Sequence, residues 1–426
     1  MTTSARQLER ITKIESLLLI QNLVIDTALL REECEFGVPD SLRPLCWRLF
    51  LNYLPKERQE WQKILSQRRK EYSVLVENLI SNSIVNEEEE LETSETNDHP
   101  LSDEKHSQWC RFFKDKETFI QIHKDVKRLR PEIDFFQRYT PFPSQAKGAS
   151  IFTKCINACD SDDSNTQKSK NKGIVLLDTN QDDSGNEFHW QVVERILFVY
   201  SKVNPGICYV QGMNEILAPL YYAFASDSDV EWSRYAEADY NFIKSLDTSN
   251  CGIESTLTNF QQKLEFVDPE LYMHLIEKLE IKPQFFAFRW LSLLLAQEFS
   301  LPDVIALWDT VFASSNRIET TELICLAMME HVRNELLASD FPNCVRLLQN
   351  YPSAVDVSIL VNNAFEIKLG LFESQRSGST SKQSGRFWKN DRLSTFMSTA
   401  KNQLSNYAQS ARRFYAKSDG SITYRP

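Results

Sequence analysis

The chain has 426 residues, of which 42% are hydrophobic, 25% charged and 11% aromatic, the balance of a folded globular protein and not of a disordered or fibrous one. Its formal charge of −11 at pH 7 excludes a surface built mainly for nucleic-acid phosphates, which demand a basic face. With only 11 glycines and apolar residues recurring at helical spacing, turn-rich sheets are disfavoured and the expected fold class is all-α.

Nine cysteines, among them Cys46, Cys208 and Cys325 in apolar stretches, form an odd set with no CxxC unit, which fits a reducing compartment. Cys155 and Cys159 resemble half a zinc site, but no second pair or suitably spaced histidine follows, so neither metal nor other cofactor is expected. The early run "SLLLIQNLVI" has the polar interruptions of an amphipathic helix and not of a signal peptide. No apolar run reaches the ~20 residues of a membrane span, since "FAFRWLSLLLAQEF" carries Arg289 and Gln297. The expected location is the cytoplasm, with peripheral contact on endomembranes at most.

Taken in chain order, Leu8, Ile11, Ile14, Leu17, Leu18, Ile25, Leu29 and Leu30 fall at helical intervals and predict an N-terminal helix over residues 1–34 that packs on the domain behind it. In "FGVPDSLRPLCWRLFLNYLP", Gly37 and Pro39 punctuate the chain and Asp40 or Ser41 is placed to cap a helix running on from Leu42. Trp47, Phe50, Leu51 and Leu54 give that helix an apolar side whose plain reading is core packing. Two polar stretches, near 86–105 and 160–186, read as loop insertions in a single domain spanning 35–366. The second is Asp-rich, yet it lacks the glycine and terminal glutamate of an EF-hand loop. Pro283 and Pro302 divide the later helices.

Within "FIQIHKDVKRLRPEIDFF", Ile122, Val126, Leu129 and Ile133 fall on one helical face, and Asp125 and Arg128, three apart, are neighbours on another. Such a pair is either an ordinary exposed ion pair or a carboxylate that steadies a guanidinium needed elsewhere. Further on, "NPGICYVQGMNEI" sets Gln211 in a loop that enters an apolar helix. No Ser/His/Asp set, phosphate-binding glycine loop or paired acid/base carboxylates competes for the role of active site. An exposed arginine and an exposed glutamine lack a nucleophile, but they suffice to complete another protein's active site.

The two motifs, Ile122-x-x-Asp125-x-x-Arg128 and Tyr209-x-Gln211, resemble those of the TBC domain, the module of GTPase-activating proteins for Rab GTPases. "GVP…LRPLCW", "YVQGMNEI" and "FRW…EF…V…LWD" follow the same family pattern in order over roughly residues 35–366. The resemblance implies a multi-helical TBC fold and a Rab in its GTP-bound form as partner. It implies that Arg128 neutralises charge on the transferring phosphoryl group and that Gln211 orients the attacking water. Asp125, Ile122, Tyr209 and Gly212 would position these fingers or contact the GTPase. The chain departs from the family after Glu237-Ala238-Asp239, where about a dozen residues, a helix of nearly 20 Å at the usual rise, are absent before "NFIKSLDTSNCGI". That shortening keeps open an alternative, a Rab- or membrane-binding adaptor without turnover.

Residues 370–426 are Ser-rich and carry ten Lys/Arg against three Asp/Glu. Apolar positions from Leu393 to Tyr415 recur at helical intervals among Arg392, Lys401, Arg412, Arg413 and Lys417, the pattern of a basic amphipathic helix. It suits an anionic membrane, met through 388–417, or packing on its own domain.

Overall fold

The computed structural model describes residues 3–19, 24–84, 108–144, 186–239, 252–352 and 354–377. In order, the chain forms α1 (Thr3–Leu19), α2 (Thr27–Cys34), α3 (Arg43–Phe50), α4 (Trp61–Ile84) and α5 (Gln108–Val126). Then come α6 (His189–Val203), α7 (Met213–Ala225) and the short α8 (Val230–Arg234). The later helices are α9 (Ile253–Val267), α10 (Pro269–Tyr272), α11 (Ala287–Ser292), α12 (Leu301–Ala313), α13 (Arg317–His331), α14 (Arg333–Ala338), α15 (Phe341–Gln349) and α16 (Val357–Ser377). A π-helical turn, Met273–Lys278, continues α10. Among the described residues no strand forms, and two isolated bridges, Val24 with Glu57 and Tyr139 with Phe188, are the extent of sheet pairing. The fold is all-helical.

Contacts group the chain into two compact units, one of residues 1–59 with 245–426 and one of residues 60–244. In the first, the N-terminal pattern is split between α1 and α2 in place of one continuous helix, and Ile14, Leu18 and Leu30 are fully buried. Its deepest polar feature is Asp309 on α12, with no exposed surface. The Asp309 carboxylate accepts from the Val38 backbone N–H (2.9 Å), Arg43 Nε (3.0 Å) and Trp47 Nε1 (2.8 Å). Gly37, at φ 104°, supplies the left-handed turn that aims the Val38 N–H inward. Burial pushes the Asp309 carboxyl up to about 6, against the opposing pull of Arg43 and the three donors. Neither Asp40 nor Ser41, the two residues expected to cap α3, does so: Asp40 pairs with Arg43, and the N-cap position is taken by Leu42 without a side-chain hydrogen bond.

The second unit carries the residues of interest. Ile122 and Val126 on α5, and Val193, Leu197 and Val199 on α6, are fully buried, and the two helices pack together with Phe119 edge-on against Phe198. Within that apolar layer His123 Nδ1 lies 2.8 Å from Glu194 Oε1, which fixes α5 against α6. The start of α6 is anchored by a buried ion cluster in which Arg195 lies between Glu187 and Glu237. Glu187 also accepts from the Ser144 N–H (3.1 Å), and its backbone carbonyl accepts from the Thr140 N–H (2.7 Å). The segment after α5 is therefore pinned at its far end to α6.

The polar insertions at 86–105 and 160–186 lie outside the described residues, apart from Asn186 at the edge of the second. So do the junction following Asp239 and the basic segment 388–417.

Candidate functional site

The helix bearing Asp125 stops at Val126, short of the helical span that the apolar spacing suggests. Pro131 bars the helix from running on to Ile133, because the residue before a proline is driven out of the right-handed helical region. Arg130 there has φ 43°, a left-handed conformation beyond the helix end at Val126. Leu129 is nonetheless fully buried, reached through the turn and not along a helix face, and Ile133 is extended at φ −116°. Arg128 thus sits in a turn, its N–H donating to the Asp125 carbonyl (3.3 Å).

The Arg128 side chain is 75% exposed. Its Nε donates to the Lys124 carbonyl (3.0 Å), one of the last carbonyls of α5, where a cation also meets the negative end of the helix dipole. The Asp125 carboxylate lies 3.6 Å from an Arg128 terminal nitrogen, a loose pair. Neither contact holds the guanidinium strongly in a solvent-exposed setting.

Gln211 precedes Gly212, which is buried and has φ 101°, a backbone state that a residue with a Cβ adopts only under strain. That glycine lets the chain reverse into α7 while leaving Gln211 outside. Gln211 is exposed, and upstream of it in the chain Val203, Ile207 and Val210 are exposed at 39%, 41% and 54%. The loop upstream is built on Asn204, whose carbonyl accepts from the Ile207 and Cys208 N–H groups at 3.0 and 2.9 Å. Cys208 is left-handed at φ 58°, so residues on both segments, Arg130 and Cys208, hold strained backbone.

A hydrogen bond joins these segments. The Tyr209 hydroxyl donates to Asp125 Oδ2 at 2.9 Å, and Asn214 Oδ1 stands 3.4 Å from the same hydroxyl. Tyr209 is 8% exposed, and burial followed by the adjacent Asp125 charge raises its phenol well above the ordinary value, so it remains a donor. A second link is electrostatic: Arg130 Nε lies 3.5 Å from Glu215 Oε2, on the first turn of α7. Ile122 is fully buried on the helix that bears Asp125.

Two motifs 84 residues apart thus meet through Asp125 and Tyr209, and each presents one exposed end group, Arg128 or Gln211. The sequence pointed to these four by motif. It did not point to His123 with Glu194 or to Arg130 with Glu215, because each of these pairs joins distant segments and carries no spacing signal.

The chain is similar to human TBC1 domain family member 13, with 42% identity over 80% of this chain and 93% of the relative. It is similar to the mouse protein of that name at 41%, over 84% of this chain and 98% of the relative. The chain belongs to the TBC-domain Rab GTPase-activating protein family. The family model, described as the Rab-GTPase-TBC domain, matches residues 155–337 and takes in Tyr209 and Gln211, beginning after Asp125 and Arg128. The TBC fold is also that of the Ypt/Rab-GAP domain of Gyp1p, with a TM-score of 0.59, 22% identity, and coverage of 86% of this chain and 99% of that one. Among the described residues no helix is long and apolar enough to cross a membrane, and no group of His, Cys, Asp or Glu is arranged to hold a metal.

Proposed function

We propose that this TBC domain accelerates GTP hydrolysis by a GTP-bound Rab, with Arg128 and Gln211 acting in trans on the partner's nucleotide. The observation that carries this reading is the Asp125–Tyr209 hydrogen bond, which ties the two motifs together while both end groups stay exposed. Arg128 is weakly held and enters the nucleotide site, where its planar fork neutralises charge spread over the phosphoryl oxygens. Gln211 uses its amide as both donor and acceptor to orient the attacking water. The exposed Val203, Ile207 and Val210, upstream of it in the chain, supply apolar surface that a docked protein covers. Asp125, Tyr209 and Gly212 position the two fingers and take no part in bond making.

The test is single-turnover GTP hydrolysis across a panel of Rabs. An arginine finger is worth about 10³ to 10⁵ in rate, so Arg128→Ala should lose most of the acceleration on the Rab that responds. Equal rates for the wild type and Arg128→Ala, with Rab binding retained, would favour the adaptor reading. Peripheral membrane contact through 388–417 is a separate proposal, checked by sedimentation with anionic and neutral liposomes. Salt-sensitive binding to the anionic vesicles alone supports it.

A further inference from the structure

We propose that Arg130 and Glu215 form a clasp that positions the Arg128 and Gln211 fingers, a role that rests on the reading of those two residues given above. Each finger is bracketed in sequence by one residue from each of two cross-links. Asp125 precedes Arg128 and Arg130 follows it, while Tyr209 precedes Gln211 and Glu215 follows it. The Asp125–Tyr209 hydrogen bond is one polar tie between the two finger-bearing turns. The Arg130–Glu215 ion pair, more withdrawn from water than the Arg128–Asp125 pair, is a second tie on the far side of both fingers and restrains the angle between them.

The chemistry of the pair suits that task. Arg130 is 8% exposed, its Nε lies 3.5 Å from Glu215 Oε2, and a terminal nitrogen lies 3.7 Å from the exposed Glu132. Burial raises the Glu215 carboxyl above its ordinary range and Arg130 pulls it back, as expected of a pair partly withdrawn from water. The positive φ of Arg130 is kept where a β-carbon makes it costly, which requires surroundings that over-determine the turn. Placement matters because a misplacement of about 1 Å at a reacting centre can cost about 10²-fold in rate.

Single-turnover hydrolysis on a responsive Rab, with the full chain at increasing concentration, separates positioning from simple stabilisation. Arg130→Gln and Glu215→Gln should each lower the maximal rate about tenfold with little change in the half-saturating concentration. The double variant should lose no more than either single, because both break one clasp. Arg130→Lys, which keeps a cation opposite Glu215, should retain most of the rate, and thermal melts should show every variant folded. Folded single variants at the wild-type rate would overturn the clasp, as would losses that merely follow thermal stability across all four. If the wild type accelerates no Rab, the finger reading falls, and the clasp's catalytic role with it. If the wild type accelerates and Arg130→Gln matches it, the clasp alone falls.

Discussion

Arg128 and Tyr209 stand for opposite ways of using a polar side chain. Arg128 keeps 75% of its surface in water and has only loose partners, so removing it should leave stability within about 0.5 kcal/mol of wild type while abolishing acceleration. Arg128→Lys keeps the charge but loses the planar fork, and should fail almost as fully as Arg128→Ala in the same hydrolysis assay. Tyr209 is buried and donates to a carboxylate, a bond worth roughly 1.5 to 3 kcal/mol. Tyr209→Phe should therefore lower the melting temperature and slow hydrolysis together. Pairing it with Asp125→Asn in a double-mutant cycle should show coupling, since both changes break one bond.

At the scale of the element, α7 depends on the reversal at Gly212. Gly212→Ala puts a β-carbon on a left-handed residue and should cost roughly 1 kcal/mol or more in chemical denaturation, with the Gln211 loop displaced and the rate reduced. The first turn of α6 carries a pH-sensitive residue, His189. Its ring stacks on Phe135 at 4.0 Å, and its Nδ1 lies 2.8 Å from the Tyr221 hydroxyl. Burial lowers it to about 4, Glu187 opposes this and Arg138 adds to it. Because the folded pKa is depressed, the unfolded chain takes up a proton first as pH falls. The stability held above about pH 6.5 is then lost progressively down to about pH 4, roughly 3 kcal/mol for this group. Melting curves of wild type and His189→Asn should show an advantage for the wild type at pH 7 that shrinks by pH 5.

Within these elements the motif residues were legible because their spacing is local, as in Ile122-x-x-Asp125-x-x-Arg128. The end of α5 was not, since periodicity continued through Leu129 and Ile133 while Pro131 forbade the helix. Leu129 is buried all the same, which shows that an apolar pattern reports burial more faithfully than it reports helix. Arg130 and Glu215 were illegible because a salt link between distant segments leaves no trace in either segment's spacing.

For the molecule as a whole, the all-helical fold expected from the sequence is the one observed, and the contacts group into two compact units. Periodicity shows which face of a helix is apolar, not which helix covers it. In the unit holding both ends of the described chain, the pattern "GVP…LRPLCW" meets "LWD" through Asp309. Asp309→Ala would leave Arg43, only 4% exposed, without its buried partner, and should cost about 3 to 5 kcal/mol, read as a large fall in melting temperature. Loss of activity in that variant would follow from unfolding, in contrast to Arg128→Ala.

The central claim is that two exposed groups from distant motifs act together on one reaction. Single-turnover hydrolysis on a responsive Rab, using wild type, Arg128→Ala, Gln211→Ala and the double variant, tests it most directly. The account predicts that each single change removes most of the acceleration and that the double change costs far less than the sum of the two in barrier height. Folded single variants that work at the wild-type rate would contradict it.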